Sequence, residues 1–318
     1  TSMGEAAFGL SNSLTRFNAP NITQIPDGAF DGCNKLSDLT VGELTKIGKY
    51  ALCFTAIDSI TLTDKLVDTD DEVAIGEGAF GGISTLFEFT KQVTSLDGTY
   101  TTNTFTISED YFVDNGMLYR VLPNGGYELI SLPGGKTNSE ISVLNGTQRI
   151  GAYAGAGNNN IKTLKLPLTL KTIGESAFDK CENLSVVVFQ SWRMPELEGA
   201  FNAYEERLNG ITDIEKPNDN IINYLTFRHR SVMYYYFNFP WYPTDANAAP
   251  NIVAVCPTNG VSYDNWMVSV MFDSIVEGVA TMTEQSVAVA ALLNSLPDAM
   301  RVQLSDEAAI VAARIAYD

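Results

Sequence analysis

Six times within the first 178 residues, an apolar position is followed four places later by a small one and then usually by an aromatic ring. The copies are Met3-Gly4-Glu5-Ala6-Ala7-Phe8, Ile25-Pro26-Asp27-Gly28-Ala29-Phe30 and Ile47-Gly48-Lys49-Tyr50-Ala51-Leu52, then Ile75-Gly76-Glu77-Gly78-Ala79-Phe80, Ile150-Gly151-Ala152-Tyr153-Ala154-Gly155 and Ile173-Gly174-Glu175-Ser176-Ala177-Phe178. The fifth position is always alanine. After several of these blocks, apolar residues fall three and then two positions apart, as at Leu36, Leu39 and Val41, or Ile57, Ile60 and Leu62. Ile161, Leu164, Leu166 and Leu184, Val187, Phe189 repeat the spacing. Ala7, Ala29 and Ala51 are 22 residues apart, and Ala154 and Ala177 are 23 apart. A period this short fits one turn of a solenoid, each turn adding one short strand to a growing parallel sheet.

The alternation that ends each block is the period-two signature of that strand. It sends Ile60 and Leu62 inward and Thr61 outward, with Thr40 and Lys165 as the equivalents of Thr61 in other turns. Strands stack about 4.8 Å apart, so the outward residues should line up in rows. The alanine–aromatic pair is expected to fill the interior, and the glycine before it to permit a tight or left-handed corner. The fold expected is a repeat solenoid, mostly short β-strands with turns and short helical segments.

These blocks resemble the BspA-type leucine-rich repeat of bacterial surface proteins. That repeat carries an Ile-Gly-x-x-Ala-Phe block, often a Gly-Cys pair, and a Leu-x-x-Ile-x-Leu strand. Gly32-Cys33 followed by Leu36 matches it, and Lys180-Cys181 followed by Leu184 nearly does. Pro26 in the glycine slot, Leu52 and Gly155 depart from it. The resemblance covers residues 1–202 and again 251–280, where Val255-Cys256-Pro257 leading to Phe272-Asp273 looks like a closing strand and helix. It implies a right-handed leucine-rich-repeat solenoid, a secreted or cell-surface location, and adhesion to host or matrix components. It supplies no catalytic residues.

Two stretches break the rhythm. Ala79 and Ala154 are 75 residues apart, room for roughly three turns, and Gly116 to Pro133 within them reads as a hairpin. Asn124-Gly125-Gly126 supplies its turn, because Asn-Gly tolerates positive φ at both residues. Residues 203–250 read as an aromatic-rich insertion ahead of the closing turn at 251–280. Residues 281–318 then turn helical: Val289, Leu292, Leu293 and Leu296 form one stripe, and Ser305 caps a second helix. This part resembles the opening of a helical spacer module, which predicts more of that module beyond Asp318 in the natural protein.

Charge narrows the partners. The 318 residues include 38 acidic and 20 basic ones, a net charge of −18. That balance opposes nucleic-acid binding and docking on an anionic membrane. No run of 18 apolar residues occurs to span a bilayer. The four cysteines, Cys33, Cys53, Cys181 and Cys256, form no C-x-x-C pair and read as small buried hydrophobes.

Candidate chemistry is sparse. The aromatic cluster of the insertion, with Tyr234, Tyr235, Tyr236, Trp241 and Tyr242 at its centre, is the candidate ligand-binding set, since exposed Tyr and Trp anchor sugars and protein partners. Packing of the insertion onto the solenoid is the competing reading, and the weightier one. Asp64, Asp68, Asp70, Asp71 and Glu72 cluster in one long turn but lack the glycine bend and alternation of a calcium loop. They read as a solvated acidic loop. His229 is the only histidine, which excludes a multi-histidine zinc site, and nothing like a nucleophile elbow accompanies it. The expectation is a non-catalytic, monomeric module with no cofactor or metal. It contacts an extracellular protein or glycan; a purely structural spacer is the third reading.

Overall fold

The computed structural model describes residues 2–91, 104–191, 194–198, 253–257 and 274–279. Its first two turns each carry a four-residue and a two-residue strand: β1 (Arg16–Ala19) and β2 (Gln24–Ile25), then β3 (Asp38–Val41) and β4 (Lys46–Ile47). β5 (Ser59–Leu62) and β6 (Glu88–Lys91) belong to the next two. All pairings among them are parallel. Arg16 sits opposite Asp38, Gln24 opposite Lys46 and Ser59 opposite Glu88, with a single bridge from Ile47 to Ile75. Partners in these ladders therefore occupy the same place in successive repeats.

The alanine block is a stacked turn rather than a strand or a helix. Alternate amides along it donate to the next coil: Phe30 N–H to the Ala51 carbonyl at 2.9 Å, Leu52 N–H to Ala79 at 2.9 Å, Gly155 N–H to Ala177 at 2.6 Å. Ala29, Ala51, Ala79, Ala154 and Ala177 are all buried. Rings fill the space beside them, with Phe8 stacked on Phe30 at 5.4 Å and Phe17 edge-on to Phe30 at 4.9 Å. Gly155 lacks a ring, and the space a side chain there would enter is held by the Phe178 ring of the next turn.

Two expectations need correction. No short helical segment occurs among the described residues; the inter-coil hydrogen bonds satisfy the turn amides that a helix would have used. The repeat glycine is not the left-handed corner either. Positive φ falls on the residue before the alanine, such as Tyr50 and Ser176, and on the residue two past the aromatic slot, such as Phe54 and Lys180. Gly48, Gly76 and Gly174 serve close approach instead. A Cβ on any of them would lie 2.4 Å from a backbone nitrogen of the preceding turn, and each amide donates to an isoleucine carbonyl there at 2.7 Å.

Between the fourth alanine and the fifth, an antiparallel meander interrupts the coil: β7 (Phe105–Thr106), β8 (Tyr111–Asp114), β9 (Met117–Val121) and β10 (Tyr127–Ser131). It takes the place of regular turns expected in this span. The predicted hairpin is β9–β10, but its loop is longer than a two-residue turn. Leu122 accepts from Gly125 N–H at 2.9 Å, Asn124 Oδ1 accepts from Gly126 N–H at 3.0 Å, and of these residues only Gly125 has positive φ. The two-residue Asn-Gly turn lies one hairpin earlier, at Asn115-Gly116 between β8 and β9, where both residues have positive φ.

The meander is buried on both faces. Leu118 and Ile130 face one apolar cluster built from residues 25–130, while Met117, Tyr119 and Leu129 face a second that reaches Cys256. The solenoid thus has two cores with a sheet between them. In the second half, β11 (Glu140–Ser142), β13 (Thr163–Leu166) and β15 (Val186–Phe189) form one parallel ladder. β12 (Thr147–Ile150), β14 (Thr172–Ile173) and β16 (Glu196–Leu197) continue from β10 as another. β17 (Val253–Pro257) and β18 (Ser274–Val279) extend the first of these ladders, so both described pieces of the closing segment are strands. The predicted C-terminal helices and the 203–250 insertion lie outside the described residues.

None of the four cysteines forms a disulfide, and all are buried. Cys33 donates its thiol to the Phe8 carbonyl at 2.9 Å and Cys181 to Gly155 at 3.2 Å, the same contact made in two turns. Burial pushes the Cys53 and Cys181 thiols up to about 12, which keeps them protonated.

Candidate interaction surface

Among the described residues, the outward rows of the strand ladders form a regular surface. Thr40 and Thr61 are exposed and Lys165 half-exposed, as the alternation predicts. Asn18 pairs in register with Thr40, and the Thr61 and Thr90 hydroxyls hydrogen-bond at 2.9 Å. A second row carries charge, with Arg16 on Asp38 at 2.5 Å. Across the meander the rows resume as Ser142, Lys165 and Val188, with Lys165 reaching Glu140 at 2.6 Å. Exposed pairs of this kind contribute little to stability. Their positions are therefore open to a partner.

The acidic loop is only partly solvated, which corrects the sequence reading. Asp68 accepts from the Ala74 N–H at 2.9 Å and the Tyr111 hydroxyl at 2.5 Å, and pairs with Arg120 at 2.6 Å. It pins the meander to the first core. Asp70, Asp71 and Glu72 are exposed, with Glu72 paired to Lys46. No cluster among the described residues has the makings of a metal site.

Beside the loop, Arg149 is the centre of a charge network. It contacts Glu128, Glu77 at 3.0 Å and Glu198 at 2.5 Å, while Arg120 reaches the other Glu128 oxygen at 3.4 Å. Burial lowers the proton affinity of the Arg149 guanidinium, and the bonds and charges of Glu198, Glu128 and Glu77 more than reverse that. Desolvation and electrostatic attraction oppose each other here, and attraction wins. Nothing reactive results; the network joins the coil on one side of the meander to the coil on the other.

The turn face carries a small aromatic seam. Tyr50 and Phe54 lie over Gly78 and Gly82, whose missing side chains make room for their rings. Both reach Tyr153, edge-on at 5.8 and 6.4 Å with interplanar angles of 84° and 81°. Lys180 Nζ sits 4.5 Å from the Phe54 ring centre. Rings so steeply inclined cannot lie flat together against one sugar. The seam is a joint between turns.

Next to it, Asp179 is 6% exposed. Burial pushes its carboxyl up to about 6, against the Lys180 charge and the bond from the Lys180 N–H. The folded state thus holds this proton more tightly than the unfolded chain, whose aspartates titrate near 3.9. The stability so gained is present at pH 4 and lost as pH rises through 6. Asp179→Asn should therefore be more stable than the parent at pH 7 by about 1–2 kcal/mol and no more stable at pH 4. Urea unfolding at the two pH values measures this; an equal offset at both would show that Asp179 does not titrate with folding.

The candidate aromatic residues Tyr234, Tyr235, Tyr236, Trp241 and Tyr242 lie outside the described residues, as does His229.

The model for the "BspA type Leucine rich repeat region" matches in 6 copies, over residues 1–115 and 135–238. No curated protein matches the chain. Among solved structures, a leucine rich cell surface protein from Faecalibacterium prausnitzii is similar over 88% of this chain and 63% of its own, at 19% identity and a TM-score of 0.53. The chain thus spans less than two thirds of that protein. A leucine-rich repeat protein from Eubacterium ventriosum is 18% identical over 62% of this chain and 60% of its own, with a TM-score of 0.41.

Proposed function

The chain belongs to the BspA-type leucine-rich-repeat family, and from that premise we propose that it is a non-catalytic binding module displayed outside a bacterial cell. It works as a monomer and contacts host or environmental proteins through the outward rows of its solenoid. The observation that carries this reading is the stacking itself. Within each ladder, successive turns present equivalent outward residues in register, which builds a long surface for contact. The Faecalibacterium relative is described as a cell surface protein, which agrees with display outside the cell. Net charge of −18 favours solubility there and disfavours nucleic acid.

The test is an array of host proteins and glycans probed with the whole chain and two double variants. Ser142→Glu with Lys165→Glu alters the outward rows, and Tyr235→Ala with Trp241→Ala alters the aromatic run. Protein signals should fall at least tenfold in the first variant and hold in the second. Glycan signals lost only in the second would replace this reading with sugar binding by the insertion. Signals from none would leave a spacer.

A further inference from the structure

The strand face of the first core is interrupted at one place. β1 is paired to β3 and β5 to β6, yet no ladder joins β3 to β5. The repeat nonetheless sets these two strands as neighbours, with Leu39 equivalent to Ile60 and Thr40 to Thr61. Elsewhere the same two coils are closely stacked. Gly76 N–H donates to the Ile47 carbonyl at 2.7 Å, and Leu52 N–H to Ala79 at 2.9 Å. They are also tied at both ends of the gap, by Ala56 N–H to the Leu36 carbonyl at 2.9 Å and by the Thr63 hydroxyl to Leu44. The separation is confined to the two strand edges.

A cleft of about 550 Å³ opens there, lined among others by Pro20, Leu39, Thr40, Gly42, Ser59 and Thr61. That is within the size range of small-ligand sites. Each wall is a four-residue edge, about 13 Å of extended chain, whose backbone groups have no ladder partner across the gap. An unpaired strand edge is a template for another strand. The cleft therefore suits an extended polypeptide. A rigid small molecule could not satisfy a row of alternating N–H and C=O groups. Around the ends of the two strands four carboxylates, Asp38, Glu43, Asp58 and Asp64, outnumber the two cations paired with them, Arg16 on Asp38 and Lys65 on Glu43, and the chain as a whole is strongly acidic. Charge selects a peptide with Lys or Arg flanking its β-forming stretch.

We infer that this cleft is a strand-addition site, taking an extended, basic-flanked peptide of a partner protein whose backbone pairs with the open edges of β3 and β5. The inference deepens the binding-module reading and rests on it. It adds to the side-chain contacts along the rows one place where backbone pairing holds the partner.

The probe is the end-blocked peptide Lys-Val-Thr-Val-Thr-Val-Lys, titrated into the ¹⁵N-labelled chain and followed by amide shifts and fluorescence anisotropy. Shifts should concentrate at residues 38–42 and 59–63. Methylating alternate peptide nitrogens should weaken binding at least tenfold, because it removes donors while keeping every side chain. Exchanging both lysines for glutamate should do the same. Thr40→Trp, or Thr61→Trp should the first fold poorly, fills the cleft with an indole and should also cost tenfold. Equal binding of the methylated peptide, equal binding by a folded tryptophan variant, or shifts confined to the Ser142–Lys165 rows would overturn the inference. No binding at millimolar peptide would overturn it too. Array signals that persist and depend on Ser142 and Lys165 would, in that event, leave the module reading standing alone.

Discussion

Gly76→Ala is expected to destabilise the protein by about 3 kcal/mol or more, far beyond the usual cost of one methyl group. An ordinary Gly→Ala change at a compatible φ stabilises by about 0.4–1 kcal/mol, because alanine has fewer unfolded conformations to lose. At Gly76 that gain is overwhelmed. The new Cβ would lie 2.4 Å from Lys49 N, 2.7 Å from Gly48 C and 2.9 Å from Lys49 Cα. These are backbone atoms of the neighbouring coil, so no side chain can turn aside. The coils must separate, and with them the 2.7 Å bond from Gly76 N–H to Ile47. A graded series isolates the cause. Gly48→Ala and Gly174→Ala meet the same obstruction. Gly151→Ala, whose Cβ would lie 3.2 Å from the Leu129 carbonyl, should cost less. Gly4→Ala has nothing within 4 Å and should be neutral or slightly stabilising. Urea unfolding reads the series. Equal effects at Gly4 and Gly76 would mean that backbone entropy, not stacking, sets the requirement for glycine.

That series bears on how far the chain's own pattern discloses the fold. The alanine column and the inward strand residues are legible because both recur at 21 to 23 residues in most turns, the first always as alanine and the second always as an apolar side chain. Glycine is ambiguous: the same letter serves a positive φ or a close approach, and only neighbouring coils distinguish them. The true left-handed corners are hidden because Tyr50, Phe54, Ser176 and Lys180 are not residues that advertise positive φ. The meander is obscured for a related reason. Strands buried on both faces, such as β9 and β10, lose the alternation that reveals a half-exposed one. The cleft is invisible in the sequence, since Asp38–Val41 and Ser59–Leu62 each carry an ordinary repeat strand. What is missing lies between them, in a pairing that neither strand encodes alone.

The charge network is the least legible feature, since Arg149 meets partners 21, 49 and 72 positions away, and it yields the second large effect. Arg149→Met should destabilise by about 2–3 kcal/mol at pH 7, somewhat below the loss for a fully buried pair because the Arg149 side chain is 26% exposed. The loss comes from what stays behind. Glu128, with an 8% exposed side chain, would retain only the 3.4 Å contact to Arg120, and Glu77 and Glu198 would face it with no cation between them. Three carboxylates in one partly dry site repel, so the folded variant should take up protons in acid more readily than its unfolded chain. Its deficit relative to the parent should therefore shrink as pH falls from 7 to 4, a linkage of the sign that protonation of the folded form requires. Arg149→Lys keeps the charge but loses the fork that serves three carboxylates at once, and should fall between. Chemical unfolding at several pH values tests both. A deficit for Arg149→Met that does not change with pH would assign the loss to packing of the side-chain stem. It would leave the meander joined to its flanking coils by apolar contact alone.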